Sequence, residues 1–227
     1  MTVAPADVEG WLTEPQAWRL DAAARRVGPG GRIVEIGSFR GRSTIVLARA
    51  AGEEVEVVAI DPHLGSDRGP QEIAADEALG EEDVRRFRDN LARHGVLDRI
   101  RHVRRRSAEA LDAVDGPVDL LWVDGAHRYG PARDDVRRWG ARVRPGGAML
   151  VHDAWSSVGV TLALLREVVF SRSWTYRGRD GSLVEYARVP GGPGSTARQL
   201  ALVPWFAWNL VLKVLIVLRL RRGPWPH

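Results

Sequence analysis

Five short apolar runs recur along the first two-thirds of the chain, at 32–36, 55–60, 100–103, 118–123 and 148–151, with helical stretches between them. Each run is rich in Val, Ile or Leu, and the intervening segments carry apolar residues at helical spacing. The run at 118–123 is apolar at nearly every position, as a strand buried on both faces must be. Strands alternating with helices predict an α/β protein with a doubly wound, mostly parallel sheet, helices on both faces and a site at the strands' carboxyl ends.

The helices have recognisable ends. Thr13 and Gln16 have the spacing of a capping box, Pro15 sits in the first turn, and Gly28 to Gly31 stop that helix. Further helices are predicted over 43–51, 81–94 (with Val84, Phe87 and Leu91 inward), 131–143 and 158–170. Pro145-Gly146-Gly147 is expected to end one helix before the strand at 148. Residues 174–177 and 183–189, joined by a turn at Arg179-Asp180-Gly181, predict a closing antiparallel hairpin. The sequence therefore divides into a Rossmann-like domain over 1–189, a Gly/Pro linker over 190–199 and an apolar, basic C-terminal helix over 200–227.

Charge and composition exclude several functions. With no Cys, there is neither a disulfide framework nor a thiolate metal site nor a Cys nucleophile. The net charge of +4 suggests nucleic acid, but all 29 acidic residues lie within 1–187. The excess of positive charge belongs to the tail, where Arg188, Arg198, Lys213, Arg219, Arg221 and Arg222 face no acid. A roughly neutral domain argues against a nucleic-acid partner. Arg101, Arg104, Arg105 and Arg106 are expected on a solvated strand edge. The acidic N-terminus has no apolar core of the secretory kind, so a cytoplasmic location is expected.

The residues that carry chemistry begin after the first strand, in Glu35-Ile-Gly37-Ser-Phe39-Arg-Gly41-Arg-Ser43. Two glycines permit close backbone approach to a ligand, and the helix start offers free N–H groups to a carboxylate or phosphate. A dinucleotide fingerprint requires glycine where Phe39 stands, and a phosphate-binding P-loop requires one more residue between the glycines and then Lys. A purely structural tight turn is the remaining bland alternative. Asp61 ends the second strand, Ser107 follows the third, Asp124 closes the fourth within Trp122-Val-Asp-Gly-Ala-His127-Arg-Tyr129, and His152-Asp153 close the fifth.

This pattern, acid-x-Gly-x-x-x-Gly followed by VDGAHRY and RPGGAMLVHD, resembles the class I S-adenosylmethionine-dependent methyltransferases. It is similar to the small-molecule O-methyltransferases of the macrocin and catechol type, methyltransferase family 24, over roughly residues 10–187. The resemblance implies methyl transfer to a hydroxyl of a small molecule. Glu35 would sit toward the ligand's ammonium, Gly37, Phe39, Gly41 and Ser43 would form the turn that receives its carboxylate, Asp61 would hold the ribose, Ser107 the adenine side, and Asp124 would lie near the methyl. It also implies a divalent metal, Mg²⁺ or Mn²⁺, on Asp124 and Asp153. Here the chain departs from its relatives, with His152 where macrocin-type enzymes have a carboxylate and Ala154 where catechol-type enzymes have Asn. Proton removal then falls to His127 or His152, between which the sequence does not choose. Tyr129 is expected to pack.

Residues 200–220 are long enough for a bilayer span but contain Pro204, Asn209 and Lys213, and Arg219, Arg221 and Arg222 follow. A helix lying on the inner membrane surface through 200–222 is expected, with packing on its own domain or in a homodimer, or a true span, as alternatives. The segment 63–80, Gly- and acid-rich without an aromatic, points to a polar acceptor such as a sugar or glycolipid. Two other classes stay open: a non-catalytic cofactor-binding module recruited through the tail, and a nucleotide hydrolase.

Overall fold

The computed structural model describes residues 3–66 and 74–218. In chain order the elements are α1 (Glu14–Ala24), β1 (Arg32–Ile36), α2 (Arg42–Ala50), β2 (Glu56–Ile60), α3 (Glu77–Arg93), β3 (Ile100–Val103), β4 (Val118–Val123), α4 (Tyr129–Asp134), β5 (Val143–Val151), α5 (Val158–Leu164), β6 (Thr175–Asp180), β7 (Leu183–Ala187), α6 (Pro193–Leu200) and α7 (Val203–Val217). Helices α4 and α5 continue through π-helical turns, Asp135–Trp139 and Leu165–Val169. The seven strands form one sheet in the order β3-β2-β1-β4-β5-β7-β6. The first five are parallel, and β7 runs antiparallel to both β5 and β6.

Strand alternation sorts the core onto two faces. Ile33, Val57, Leu120 and Trp122 pack against α1 and α2, while Val34, Leu121, Val123 and Met149 pack toward α4 and α5. The strand order reverses between β1 and β4, so their carboxyl ends diverge and leave a crevice, where a doubly wound sheet binds its ligand. The basic cluster lies on and just beyond edge strand β3. Arg101 bonds Glu56 at 2.8 Å, Arg105 bonds Asp112 at 2.9 Å, and Arg104 pairs with Glu81.

Several boundaries differ from expectation. Helix α3 begins at Glu77 rather than 81, because Asp76 caps it by accepting from the Leu79 N–H at 3.0 Å. Val84 is only half-buried, since α3 turns Asp83 and Asn90 inward to hold Arg40. Pro145-Gly146-Gly147 lies inside β5, where the register with β4 shifts and Gly146 adopts φ +80°. The hairpin turn sits at Gly181-Ser182, later than expected.

The largest correction concerns the stretch 190–199, expected to be a linker. Most of it belongs to α6, with Pro193 in the first turn, and it is fastened to the domain. Ser195 Oγ accepts from the Tyr176 N–H at 2.9 Å, Thr196 Oγ1 donates to the Val169 carbonyl at 2.9 Å, and buried Gln199 accepts from the Tyr186 hydroxyl at 2.9 Å. Gly191 is required because a Cβ there would meet the Trp174 carbonyl oxygen at 2.2 Å. Gly and Pro thus serve close packing and helix initiation, which by composition look the same as a flexible spacer. Residues 219–227, including Arg219, Arg221 and Arg222, and residues 67–73 of the Gly- and acid-rich segment 63–80 lie outside the described residues.

Candidate active site

A cavity of about 890 Å³ opens at the carboxyl ends of β1, β2, β4 and β5. The turn from β1 into α2 forms its floor. The Ser38 and Phe39 N–H groups donate to Asp61 Oδ2 at 2.9 and 2.8 Å, and the His63 N–H donates to Asp61 Oδ1 at 2.8 Å. Asp61 therefore ties the two strand ends together, and these three donors leave about one lone-pair site of its carboxylate for a ligand. Gly37 lines the cavity at φ +86°, but what forbids a side chain there is protein: a Cβ would stand 2.1 Å from the Asp124 carbonyl oxygen. At Gly41, φ +89°, the nearest neighbour of a Cβ would be the Phe87 ring at 3.2 Å. Among the described residues, Phe39, His63, Asp153 and Trp155 alone are non-glycine residues with positive φ. All four stand in turns that follow strands at this crevice, which is where backbone strain concentrates in functional sites.

Glu35 is wholly buried behind the turn, and its carboxylate accepts from the Ser43 hydroxyl and from the Thr44 hydroxyl at 2.5 Å. Burial pushes its pKa up to about 8; the two hydroxyls oppose this, and the Asp124 and Asp61 charges add to it. Ser43 reaches the cavity wall, whereas Glu35 and Gly41 are not among the residues lining it. Ser107 lines the far side and donates to buried Asp135, whose pKa is raised to about 6 by burial.

Opposite the turn, four titratable side chains converge. His127 Nε2 lies 2.9 Å from Asp153 Oδ2. His152 Nδ1 lies 3.1 Å from Asp124 Oδ1 and 3.4 Å from Asp153 Oδ2, and its Nε2 lies 3.3 Å from Gln16 Oε1. Burial alone would lower the pKa of His152, yet the two carboxylates raise it well above the usual value. Burial likewise works against the charged form of His127, and the bond to Asp153 outweighs it and raises that pKa too. Asp153, although burial opposes its charge, is held well below the ordinary range by the two histidines. His127 is the more accessible imidazole, partly open to the cavity, while His152 is buried. Tyr129 is exposed rather than packed.

A family model described as a methyltransferase domain, family 24, matches residues 34–154. The chain belongs to this methyltransferase family. Among curated proteins it is 32% identical over 123 residues to a catechol O-methyltransferase of Mycobacterium tuberculosis, covering 54% of this chain and 47% of that one. The chain spans half or less of the length of the first curated relatives it matches, 16% of one and 47% of the other. Among solved structures, the O-methyltransferase NovP superposes with a TM-score of 0.64 at 20% identity, over 82% of this chain and 84% of that one. The O-methyltransferase TomG of Streptomyces achromogenes, solved with S-adenosylmethionine, superposes with a TM-score of 0.58 at 21% identity, over 82% and 83%. At such identities the structural likeness speaks for the fold.

Within this methyltransferase-family fold the site can be tested for fit. Ser38 lines the cavity, yet its Oγ is buried without a hydrogen-bond partner among the described residues. A buried hydroxyl left this way on the cavity wall suits a polar group of a ligand. Asp124, His152 and Asp153 each offer a donor atom, all within 4.8 Å of one another. Two carboxylates and one imidazole fit a divalent cation that tolerates nitrogen, Mn²⁺ better than Mg²⁺. Sequence reasoning missed Ser38, Asp135, Gln16 and Lys213. The Asp134-Asp135 pair could have been found by its spacing from the VDGAHRY segment. Gln16 was legible only as a helix cap, and its approach to His152 joins residues 136 positions apart.

Proposed function

We propose that the chain transfers the methyl group of S-adenosylmethionine to a hydroxyl of a small polar molecule. The observation that carries this reading is the pairing of partly open His127 with Asp153, at 2.9 Å, across the same cavity as the Asp61-braced turn. Bound there, S-adenosylmethionine supplies a methyl on a sulfonium, so that a C–O bond forms as the C–S bond breaks, the thioether keeps the electron pair and the hydroxyl proton departs.

The protein's part is positioning and proton removal. The Ser38 hydroxyl would receive the carboxylate, Asp61, braced by the turn amides, the ribose, and Ser107 with Asp135 the adenine side. Glu35, behind the wall, would act on the ammonium through Ser43 or a water. His127, in its neutral form, would accept the hydroxyl proton at Nδ1, the nitrogen not paired with Asp153, while Asp153 orients the ring through Nε2. His152, pinned between two carboxylates and Gln16, is the poorer base. Asp124, His152 and Asp153 would hold a divalent ion, whose chemistry would be to acidify and orient the hydroxyl. Most of the acceleration comes from alignment.

The acceptor we propose is a sugar or glycolipid, presented at the inner face of the membrane. Support for the polar acceptor comes from the charged rim, where Glu9, Arg42, Arg128 and Asp134 line the cavity against two aromatic rings, Trp11 and Phe39. Support for the membrane comes from α7. Residues Pro193–Ile216 are long and apolar enough to cross a bilayer, but Asn209 and Lys213, the polar side chains of α7, turn toward the domain. Val203, Trp208, Val211, Val214 and Leu218 form the exposed stripe, and in sequence Arg219, Arg221 and Arg222 follow. An apolar outer face next to cationic residues suits a surface of anionic lipid.

Calorimetry with S-adenosylhomocysteine, NADH and ATP tests the ligand, with binding of the first alone expected. Transfer of labelled methyl to a pooled panel of monosaccharides, glycosides and catechols, with and without chelator and Mn²⁺, tests the reaction. Binding of NADH or ATP instead would overturn the reading, and binding of S-adenosylhomocysteine without transfer to any hydroxyl would leave a binding module.

A further inference from the structure

The loop after β5 carries the acidic partner of His127 and is held in an unusual backbone shape. Asp153 has φ +53° and Trp155 φ +58°, left-handed conformations that side chains other than glycine rarely adopt. Such a loop persists only where its surroundings over-determine it. Within the loop, the Ser156 and Ser157 N–H groups donate back to the Asp153 carbonyl at 3.2 and 2.8 Å. Ser157 Oγ also donates to the His127 carbonyl at 3.3 Å, and further support comes from the other end of the chain. Asn209 Nδ2 donates to the Trp155 carbonyl at 3.3 Å, and Lys213 Nζ donates to the Ser156 carbonyl at 2.7 Å and lies 3.3 Å from Ser156 Oγ. Phe206 stacks edge-on against buried Trp155, with ring centroids 6.4 Å apart.

These contacts fix α7 in one rotation and one axial position. Asn209 and Lys213 stand at i and i+4, so both fall on the inward stripe. A slip of α7 would strand two polar side chains against apolar surface and break both bonds at once, so the pair sets a register. Lys213 also lines the same cavity as His127, His152 and Asp153. A helix that is apolar everywhere else therefore touches the catalytic loop through its two polar groups.

We propose that Asn209 and Lys213 are positioning residues, which fix the Trp155 and Ser156 carbonyls from the C-terminal helix and thereby hold Asp153 against His127. The inference rests on the methyl-transfer reading of the site and deepens it: the seating of α7 becomes a condition of turnover, and a lipid surface that engages its outer stripe would reinforce that seating.

The test uses the full chain with Lys213→Met and Asn209→Leu, apolar replacements that keep the helix packed. Each is expected to bind S-adenosylhomocysteine within about twofold of wild type while kcat on the pooled acceptors falls about tenfold. Lys213→Arg, which retains a cationic donor, should recover much of that loss. The ring nitrogen shifts of His127, read by NMR without any turnover, should move in both apolar variants toward those of an imidazole released from Asp153. Trp208→Ser, on the outer stripe, should leave kcat on soluble acceptors unchanged while weakening sedimentation with vesicles of phosphatidylglycerol.

Parallel losses of kcat, ligand affinity and melting temperature, with no recovery in Lys213→Arg, would assign the pair to folding alone and overturn the proposal. So would His127 signals indifferent to both substitutions. A wild-type protein inactive on every hydroxyl, with His127 signals that still respond, would overturn the reaction and leave the clamp standing. A lipid-independent dimer that covers the stripe would overturn the membrane part.

Discussion

Replacing Glu35 by Gln tests whether the turn after β1 is built around a neutral carboxyl group. Glu35 is fully buried, accepts two side-chain hydrogen bonds, and has a pKa raised from 4.5 to about 8. The unfolded chain releases this proton near the ordinary carboxylate value, while the folded ligand-free protein keeps it until about pH 8. A folded pKa above the unfolded one means that stability from this group is intact at low pH and is lost as pH rises through that window. The slope is about 1.4 kcal/mol per pH unit, so between pH 5.5 and 8 the wild type should lose roughly 3 kcal/mol that Glu35→Gln does not. All other titrating groups are shared, so the difference between the two proteins isolates Glu35. Urea unfolding of both at pH 5.5, 7 and 8.5 measures it. Parallel stability curves would refute the reasoning, because they would mean that Glu35 is ionised in the fold or has the same pKa in both states. A ligand ammonium near the carboxylate adds a second readout. Binding of S-adenosylhomocysteine at pH 7 should expel the proton, seen as a calorimetric enthalpy that varies with the ionisation enthalpy of the buffer, and Glu35→Gln should lose that variation.

Other substitutions separate the chemistry from the scaffold. His127→Ala should retain affinity for S-adenosylhomocysteine while kcat falls on the order of 10²- to 10⁴-fold, and His152→Ala should slow turnover less, both read by labelled-methyl transfer. If neither single change nor the double change slows transfer, the base assignment is wrong. Gly37→Ala places a methyl 2.1 Å from the Asp124 carbonyl oxygen at φ +86° and should destabilise the fold by roughly 3 kcal/mol or more in urea. Gly95→Ala, at φ +69° with nothing within 4 Å of its Cβ, should lose only about 1 kcal/mol.

Sheet and site location were legible in the sequence because both follow from local pattern. The apolar runs became β1 to β5, and the polar residues that end them, Asp61, Asp124 and Asp153, line one cavity. What each residue touches was not legible, because that depends on how strand ends meet. Gly37 looked like a glycine cleared for a ligand, but its missing side chain faces the Asp124 carbonyl, from a strand more than eighty residues downstream. Asp61 looked free for a ribose, yet it first braces the Ser38 and Phe39 amides. Glu35 looked like a wall residue, but the rotation of α2 brings Ser43 and Thr44 over it. His127 and His152 were equivalent as letters. Burial and a second carboxylate distinguish them in space, since His152 lies between Asp124 and Asp153 while His127 touches Asp153 from the open side.

The tail shows most directly why a one-dimensional reading misassigns polar residues. In sequence, Asn209 and Lys213 interrupt an apolar run and count only against a bilayer span. In the fold they are the anchoring groups of α7, with Asn209 almost fully buried, and the face they leave outward is apolar. An ordinary surface helix turns its polar side to water and its apolar side to the core. Here two polar side chains turn inward beside Trp205 and Phe206, which pack on the core, while the outward stripe is apolar; this arrangement asks for bonded polar groups inside and a cover for the stripe outside. The carbonyls of Trp155 and Ser156 meet the first condition. A lipid surface would meet the second, on the outer side of the helix whose inner residue Lys213 helps to line the cavity.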